Sequence, residues 1–219
     1  MLDLEKSFTS PGKQNFQDYK EIIAKLKSDP QFQIFLSQYN SRFYLTLGIS
    51  DPIGWLRDNP DIYRGLNGYI DPQDETLTYA IINRKLRNQT SLDSREVDYV
   101  KAILISMNSI PSYSGIVFRG VSASQALMNS YIVGQPAVDF AFCSTSIDPE
   151  ISQGFAKSDI DRTALLYVIK IKQGSPISAA HPGNNAEKEI LLKPGQTFGV
   201  INKLMSPDGK QALIFMEQL

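Results

Sequence analysis

The hydrophobic period of the chain changes near Pro111, and that change constrains the fold more than any single motif. Before it, apolar residues recur at helical spacing: Phe16, Tyr19, Ile22, Ile23 and Leu26 form one stripe, with Lys20, Lys25 and Lys27 on the wet side. This predicts an amphipathic helix ending near Ser28, because Asp29-Pro30 disfavours a further turn. A second helix is expected over about 73–87, where Leu77, Ala80, Ile81 and the aliphatic stem of Lys85 share a face. A third opens at Asp93, with Glu96 completing a capping-box spacing, and runs through Val97, Val100, Ile103, Leu104 and Met107 to a stop at Pro111. The stretch 48–71 is rich in Gly, Pro, Asp and Asn and reads as loops and short turns.

After Pro111 the apolar runs are short and bounded by Gly, Pro and Ser: 115–120, 164–171, 189–192 and 212–216 read as strands. Few helical patterns lie among them to serve as crossovers, so a mostly antiparallel arrangement fits better than a parallel sheet. Helices first and strands second, with no internal repeat, predict an α+β fold in one unit, 1–219. Its N-terminal helical lobe (1–110) would pack on a small, mostly antiparallel β-sandwich (111–219).

At 219 residues and 42% hydrophobic, the chain is long enough for a real core. Its 22 Lys plus Arg against 23 Asp plus Glu leave a net charge of −1, which provides no strong field for gripping phosphate backbones or anionic membranes. Neither nucleic acid nor membrane is therefore an expected partner. The one cysteine, Cys143, and the one histidine, His181, cannot assemble a Cys/His metal cage, and no metal is expected. Residues 1–16 lack the apolar centre of a signal peptide, and no long apolar run follows, so the expectation is a soluble chain without a Sec-type signal.

Three pieces of chemistry follow in fixed order. The first is Arg119-Gly120, at the end of an apolar strand, with Ser122 placed to cap a short helix through Leu127 and Met128. A guanidinium fork suits bidentate contact with phosphate or carboxylate, and glycine lets a ligand approach the backbone. An ordinary strand-end arginine in a salt bridge uses the same residues. The second is 140–146, Phe-Ala-Phe-Cys-Ser-Thr-Ser, read as an aromatic-rich strand with Ser144 and Ser146 on one face and Thr145 on the other. Such hydroxyls can orient a carboxylate or a sugar hydroxyl, or simply form turns at a strand end. Asp148-Pro149 then begins a short helix through Ile151, Phe155 and Ala156. The third is Glu187-Lys188-Glu189, entering the apolar run 190–192. If Glu187 is already extended, its carboxylate shares a strand face with that of Glu189. Inside a cleft such a pair suits work on a glycosidic bond, where positive charge develops at the anomeric carbon; on a surface it is a common charge run.

The joint pattern, strand-Arg-Gly, aromatic-x-Ser-Thr-Ser with Phe155 downstream, and Glu-x-Glu leading into an apolar strand and Pro194-Gly195, resembles the arginine-class mono-ADP-ribosyltransferases. That family is found among bacterial toxins and effectors, bacteriophage proteins and vertebrate ectoenzymes. By motif the resemblance covers about 111–219; the helical first half agrees in character and size with the family's helical lobe.

The resemblance implies that NAD is a co-substrate and that Arg119 holds its diphosphate and nicotinamide ribose, while the Gly120 backbone bonds the carboxamide. Ser144 would orient Glu189, Thr145 and Ser146 would support the cleft wall, and Phe155 would pack against nicotinamide, unless it is an ordinary core phenylalanine. Glu189 would contact the ribose and stabilise the oxocarbenium-like transition state, and Glu187 would face an acceptor arginine. The implied activity is transfer of ADP-ribose to an arginine of a target protein, actin or another host protein, by a monomeric toxin or effector. An NAD glycohydrolase, or a non-catalytic domain that binds NAD or a protein, are the alternatives. One departure stands out: arginine-modifying toxins often carry an aromatic residue three positions before the first glutamate, where this chain has Asn184, and the loop 179–186 has none. His181 in that loop could touch an acceptor. Cys143 reads as a small buried strand residue rather than a nucleophile.

Overall fold

The computed structural model describes residues 19–37, 50–71, 74–178 and 187–219. Among them, six helices precede the first strand: α1 (Tyr19–Ser28), α2 (Pro30–Ser37), α3 (Pro52–Asp58), α4 (Pro60–Ile70), α5 (Tyr79–Arg87) and α6 (Ser94–Ser109). The capping box of α6 forms as expected, with Glu96 N donating to Asp93 Oδ1 at 2.9 Å and Asp93 N donating to Glu96 Oε2 at 2.8 Å. The end of α1 at Ser28 is also as expected; Phe16 lies outside the described residues.

The loop expected over 48–71 is instead largely α3 and α4. Its Pro and Asp residues start helices: Asp51 accepts from Gly54 N at 3.0 Å, and Pro52 and Pro60 occupy first-turn positions where a missing N–H costs nothing. Gly65 permits packing, since a Cβ there would lie 2.1 Å from Ser106 Oγ and 2.5 Å from the Ala102 carbonyl oxygen of α6. In the other direction, α5 starts at Tyr79, later than expected, because Asp74 ties 74–76 into a turn through Thr76 N at 2.8 Å and Thr78 caps the helix through Ile81 N.

The strands among the described residues are β1 (Tyr113–Ser124), β2 (Pro136–Asp139), β3 (Cys143–Ser146), β4 (Arg162–Pro176), β5 (Glu189–Leu192), β6 (Gln196–Met205) and β7 (Gln211–Gln218). Helix α7 (Gln125–Ser130) follows β1 and α8 (Pro149–Phe155) follows β3. All seven strands join one hydrogen-bonded sheet in the order β1-β3-β5-β4-β7-β6-β2, and β1 also pairs with β4. Strands β1, β3, β5 and β4 thus close a ring, so the sheet is partly barrel-like rather than two separate layers. The described pairings are antiparallel except β4 with β7.

Strand β4 is buried along most of its length because it is central to this arrangement. Leu165, Tyr167 and Ile169 pack with Val117, Phe198 and Ile214 on one face. Leu166 and Val168 pack with Phe118, Leu213 and Phe215 on the other, where Ile23 and Leu26 of α1 cover them. A third cluster joins Leu66 and Tyr69 of α4 and Ile103 and Met107 of α6 to Phe142, Ile177 and Leu191. It sets α4 beside Phe142 and β5 and so brings helical side chains to the site.

Candidate active site

Arg119 lies in the interior of β1, opposite Tyr167 of β4, not at a strand end. The strand continues to Ser124, which is the residue that caps α7, accepting from Leu127 N at 3.2 Å; Ser122 instead donates to the Lys157 carbonyl at 2.7 Å. The Arg119 guanidinium crosses to β3, donating from Nη1 to the Ser144 carbonyl at 3.0 Å and reaching Cys143 Sγ at 3.4 Å. That tether fixes a permanent positive charge beside the Ser-Thr-Ser segment.

The segment 140–142 is not strand, because its amides are taken by side chains: Ala141 N donates to Asp139 Oδ1 at 3.0 Å and Phe142 N to Asn83 Oδ1 at 3.1 Å. From Cys143 the ladder begins. Thr145 is buried, donating to the Ile190 carbonyl at 2.6 Å. Ser146 donates to the Glu187 carbonyl at 2.7 Å and accepts from Asp148 N at 2.9 Å. Ser144 is left exposed, with its hydroxyl bonded to the carboxylate of Glu189. Asp148 caps α8 as expected, accepting from Glu150 N at 3.1 Å.

Glu189 is the first residue of β5, paired with Ser146, and only 7% exposed. Burial pushes its carboxyl up to about 7; the Ser144 hydrogen bond opposes this, the charge of Glu187 reinforces it, and Arg119 opposes it. Glu187 is not extended. Lys188 adopts φ 45°, a left-handed turn, so Glu187 reaches the same cleft from outside the strand rather than by strand alternation.

A cleft of about 320 Å³ gathers Arg119, Gly120, Ser144, Thr145, Ser146, Phe155, Glu187 and Glu189, every site residue expected from the motifs. Phe155, 60% exposed, stands on its wall and not in the core. Gly120 is required by the protein itself: a Cβ there would lie 1.7 Å from the Ser152 carbonyl oxygen, so glycine admits α8 against β1, and Ser152 Oγ donates to the Phe118 carbonyl at 2.9 Å. Cys143 is buried and its thiol is pushed up by that burial, which keeps it inert. His181 and Asn184, with the loop 179–186, lie outside the described residues.

Five lining residues were not anticipated: Tyr69, Ile70, Tyr79, Ile151 and Ser152. Tyr69 packs 5.6 Å from the ring of Tyr79 and 5.6 Å from that of Phe142. Burial, reinforced by the Glu189 charge, raises its hydroxyl pKa, so it stays a neutral donor near the carboxylate. The signal for Tyr69 was present behind Pro60, where Ile62, Leu66, Tyr69 and Ile70 repeat at helical spacing. Chemically, the cleft offers a fixed cation, an aromatic wall and two carboxylates, an arrangement suited to a ligand that is anionic at one point and becomes cationic at another.

No protein-family model matches the sequence. The Vis toxin, an ADP-ribosyltransferase from Vibrio splendidus, is 28% identical over 142 residues, which is 63% of this chain and 53% of Vis. The NAD(+)–protein-arginine ADP-ribosyltransferase Tre1 of Pseudomonas putida is 30% identical over 128 residues, 58% of this chain and 24% of Tre1. The chain thus spans about half the length of the first and a quarter of the second. In three dimensions, Vis with its M6 inhibitor superposes over 97% of this chain and 89% of Vis, with a TM-score of 0.63 at 18% identity. Exoenzyme S of Pseudomonas aeruginosa, solved with human 14-3-3 protein beta and carba-NAD, covers 72% of this chain and 73% of its own, with a TM-score of 0.58 at 19% identity. With the ADP-ribosyltransferase fold around it and arginine-specific enzymes as its sequence relatives, the chain is a relative of the arginine-class mono-ADP-ribosyltransferases.

Proposed function

We propose that this chain transfers ADP-ribose from NAD to an arginine of a target protein, as one catalytic unit of a toxin or effector. The observation that carries the reading is the convergence of Arg119, Ser144, Glu187 and Glu189, far apart in sequence, on one cleft. The residues fit NAD: a guanidinium suits its diphosphate, Gly120 lines the same cleft, where its backbone would bond a carboxamide, and Phe155 offers a face to nicotinamide. The helices of the first half contribute Tyr69, Ile70 and Tyr79, which would enclose the other side of the dinucleotide.

In the reaction the bond between ribose C1′ and the nicotinamide nitrogen breaks, and its electron pair leaves with nicotinamide. The positive charge this leaves on the ribose faces the Glu189 carboxylate, held by Ser144 in a site where burial strengthens the attraction. Glu187 would grip the acceptor guanidinium through two hydrogen bonds and take a proton as its nitrogen attacks C1′.

Incubation with labelled NAD and agmatine, a small guanidine, tests this. Label on agmatine is expected from the wild type, and none from Glu189→Gln, which should also stop NAD cleavage. Glu187→Gln should suppress transfer while sparing part of the hydrolysis. Free ADP-ribose alone from the wild type would make the chain a glycohydrolase, and NAD binding without turnover would make it a binding domain.

A further inference from the structure

The residue between the two glutamates carries an unusual load. Lys188 holds a left-handed backbone, φ 45°, that a side-chain-bearing residue adopts uncommonly, and its ammonium bonds Asp148 Oδ2 at 2.8 Å. Asp148 is itself fixed: it caps α8, and its N–H donates to Ser146 Oγ. The same hydroxyl donates to the Glu187 carbonyl, and Ile147 N donates to the Lys188 carbonyl at 3.3 Å. The pair is mostly out of solvent, with the side chains of Lys188 and Asp148 exposed by 26% and 10%.

The two glutamates do not depend on this clamp equally. Glu189 belongs to the β5 ladder, paired with Ser146, with its N–H on Ser178 Oγ at 2.6 Å and its carbonyl accepting from Ile177 N at 3.1 Å. Glu187 precedes the ladder, and its backbone is tied to the body of the protein through Ser146 and through the turn at Lys188. The positive charge of Lys188 is spent on Asp148 rather than on the site.

We propose that the Lys188–Asp148 ion pair is a positioning device for Glu187: it holds the left-handed turn that presents the acceptor-directed carboxylate beside Glu189, and so governs transfer to arginine more than cleavage of NAD. This inference rests on the transferase reading above. Lys188 is a positioning residue, acting through Glu187.

The test uses Lys188→Asn, which tolerates the left-handed backbone but loses the ammonium, and Asp148→Asn, which keeps a capping oxygen for Glu150 N but loses the charge. Transfer to agmatine and release of free ADP-ribose are measured together in each protein. A displacement of the carboxylate by an ångström suffices to reduce the transfer-to-hydrolysis ratio by about tenfold or more. That fall is expected in both variants, with no further fall in the double variant because one contact is lost in each, and with recovery in Lys188→Arg. An unchanged ratio, or proportional loss of both activities as from simple destabilisation, overturns the proposal while leaving the transferase reading intact. A wild type that turns over no NAD overturns both.

Discussion

Replacing Glu189 by glutamine should make the protein more stable while removing its activity, and the size of the gain should depend on pH. Burial raises the carboxyl from 4.5 to about 7, so the folded state binds its proton more tightly than the unfolded chain does. Stability from this group is therefore complete below about pH 4.5, falls as pH rises, and is lost above about pH 7. At about 1.4 kcal/mol per tenfold change in proton affinity, the ionised carboxylate costs the fold about 3 kcal/mol at pH 8. Glutamine has nearly the same shape and no such cost. For a chain of this size about 3 kcal/mol corresponds to a rise in Tm of roughly 6–12 °C. Thermal unfolding of wild type and Glu189→Gln between pH 4.5 and 8 should show curves that meet at the acid end and separate steadily to neutrality. A constant gap, or a wild type more stable than the variant at pH 8, would refute the claim that this carboxylate is held ionised at the expense of the fold.

The same carboxyl sets a pH dependence of activity: kcat/KM for NAD cleavage should rise with pH with a midpoint about 7, because the protonated acid cannot oppose the charge forming on the ribose. Glu187→Gln removes a neighbouring negative charge and should move that midpoint to lower pH; no movement would mean the two carboxylates do not sense one another. Gly120→Ala puts a methyl 1.7 Å from the Ser152 carbonyl oxygen and should cost about 3 kcal/mol or more and most of the activity, as read by chemical denaturation and NAD turnover. Gly154→Ala, in α8 with Ser152 and with nothing within 4 Å of its Cβ, should be neutral or stabilising by up to about 1 kcal/mol; equal damage from the two would discount the clash.

What could be read from sequence was what local chemistry decides. Helix α6 carries its own capping box, and β5 is an apolar run between charged residues and Pro194-Gly195, so both were legible. The convergence of Arg119, Ser144 and the two glutamates was legible only through the order of the motifs, since no local signal says that β1, β3 and β5 share a ring. Helices α3 and α4 were misread because Pro, Gly and Asp serve helix starts and close packing as well as loops. Strand β1 was read too short: its continuation through Val121 and Ser122 is set by pairing with Leu165 and Ala164 of β4, a partner distant in sequence. Strand β6 hides its period, since Gln196, Thr197, Asn202 and Lys203 lie among its apolar residues. The turn at Lys188 carries no signal at all, because lysine has no preference for a left-handed backbone; the hydrogen bonds that accompany it, to Asp148 and from Ile147, come from residues distant in sequence.

A crystal structure with carba-NAD shows whether these side chains converge on one dinucleotide. Nicotinamide is expected between Gly120 and Phe155, the diphosphate on Arg119, and a ribose hydroxyl within hydrogen-bond distance of Glu189. A dinucleotide bound elsewhere on the molecule, or with its nicotinamide ribose out of reach of Glu189, would contradict it.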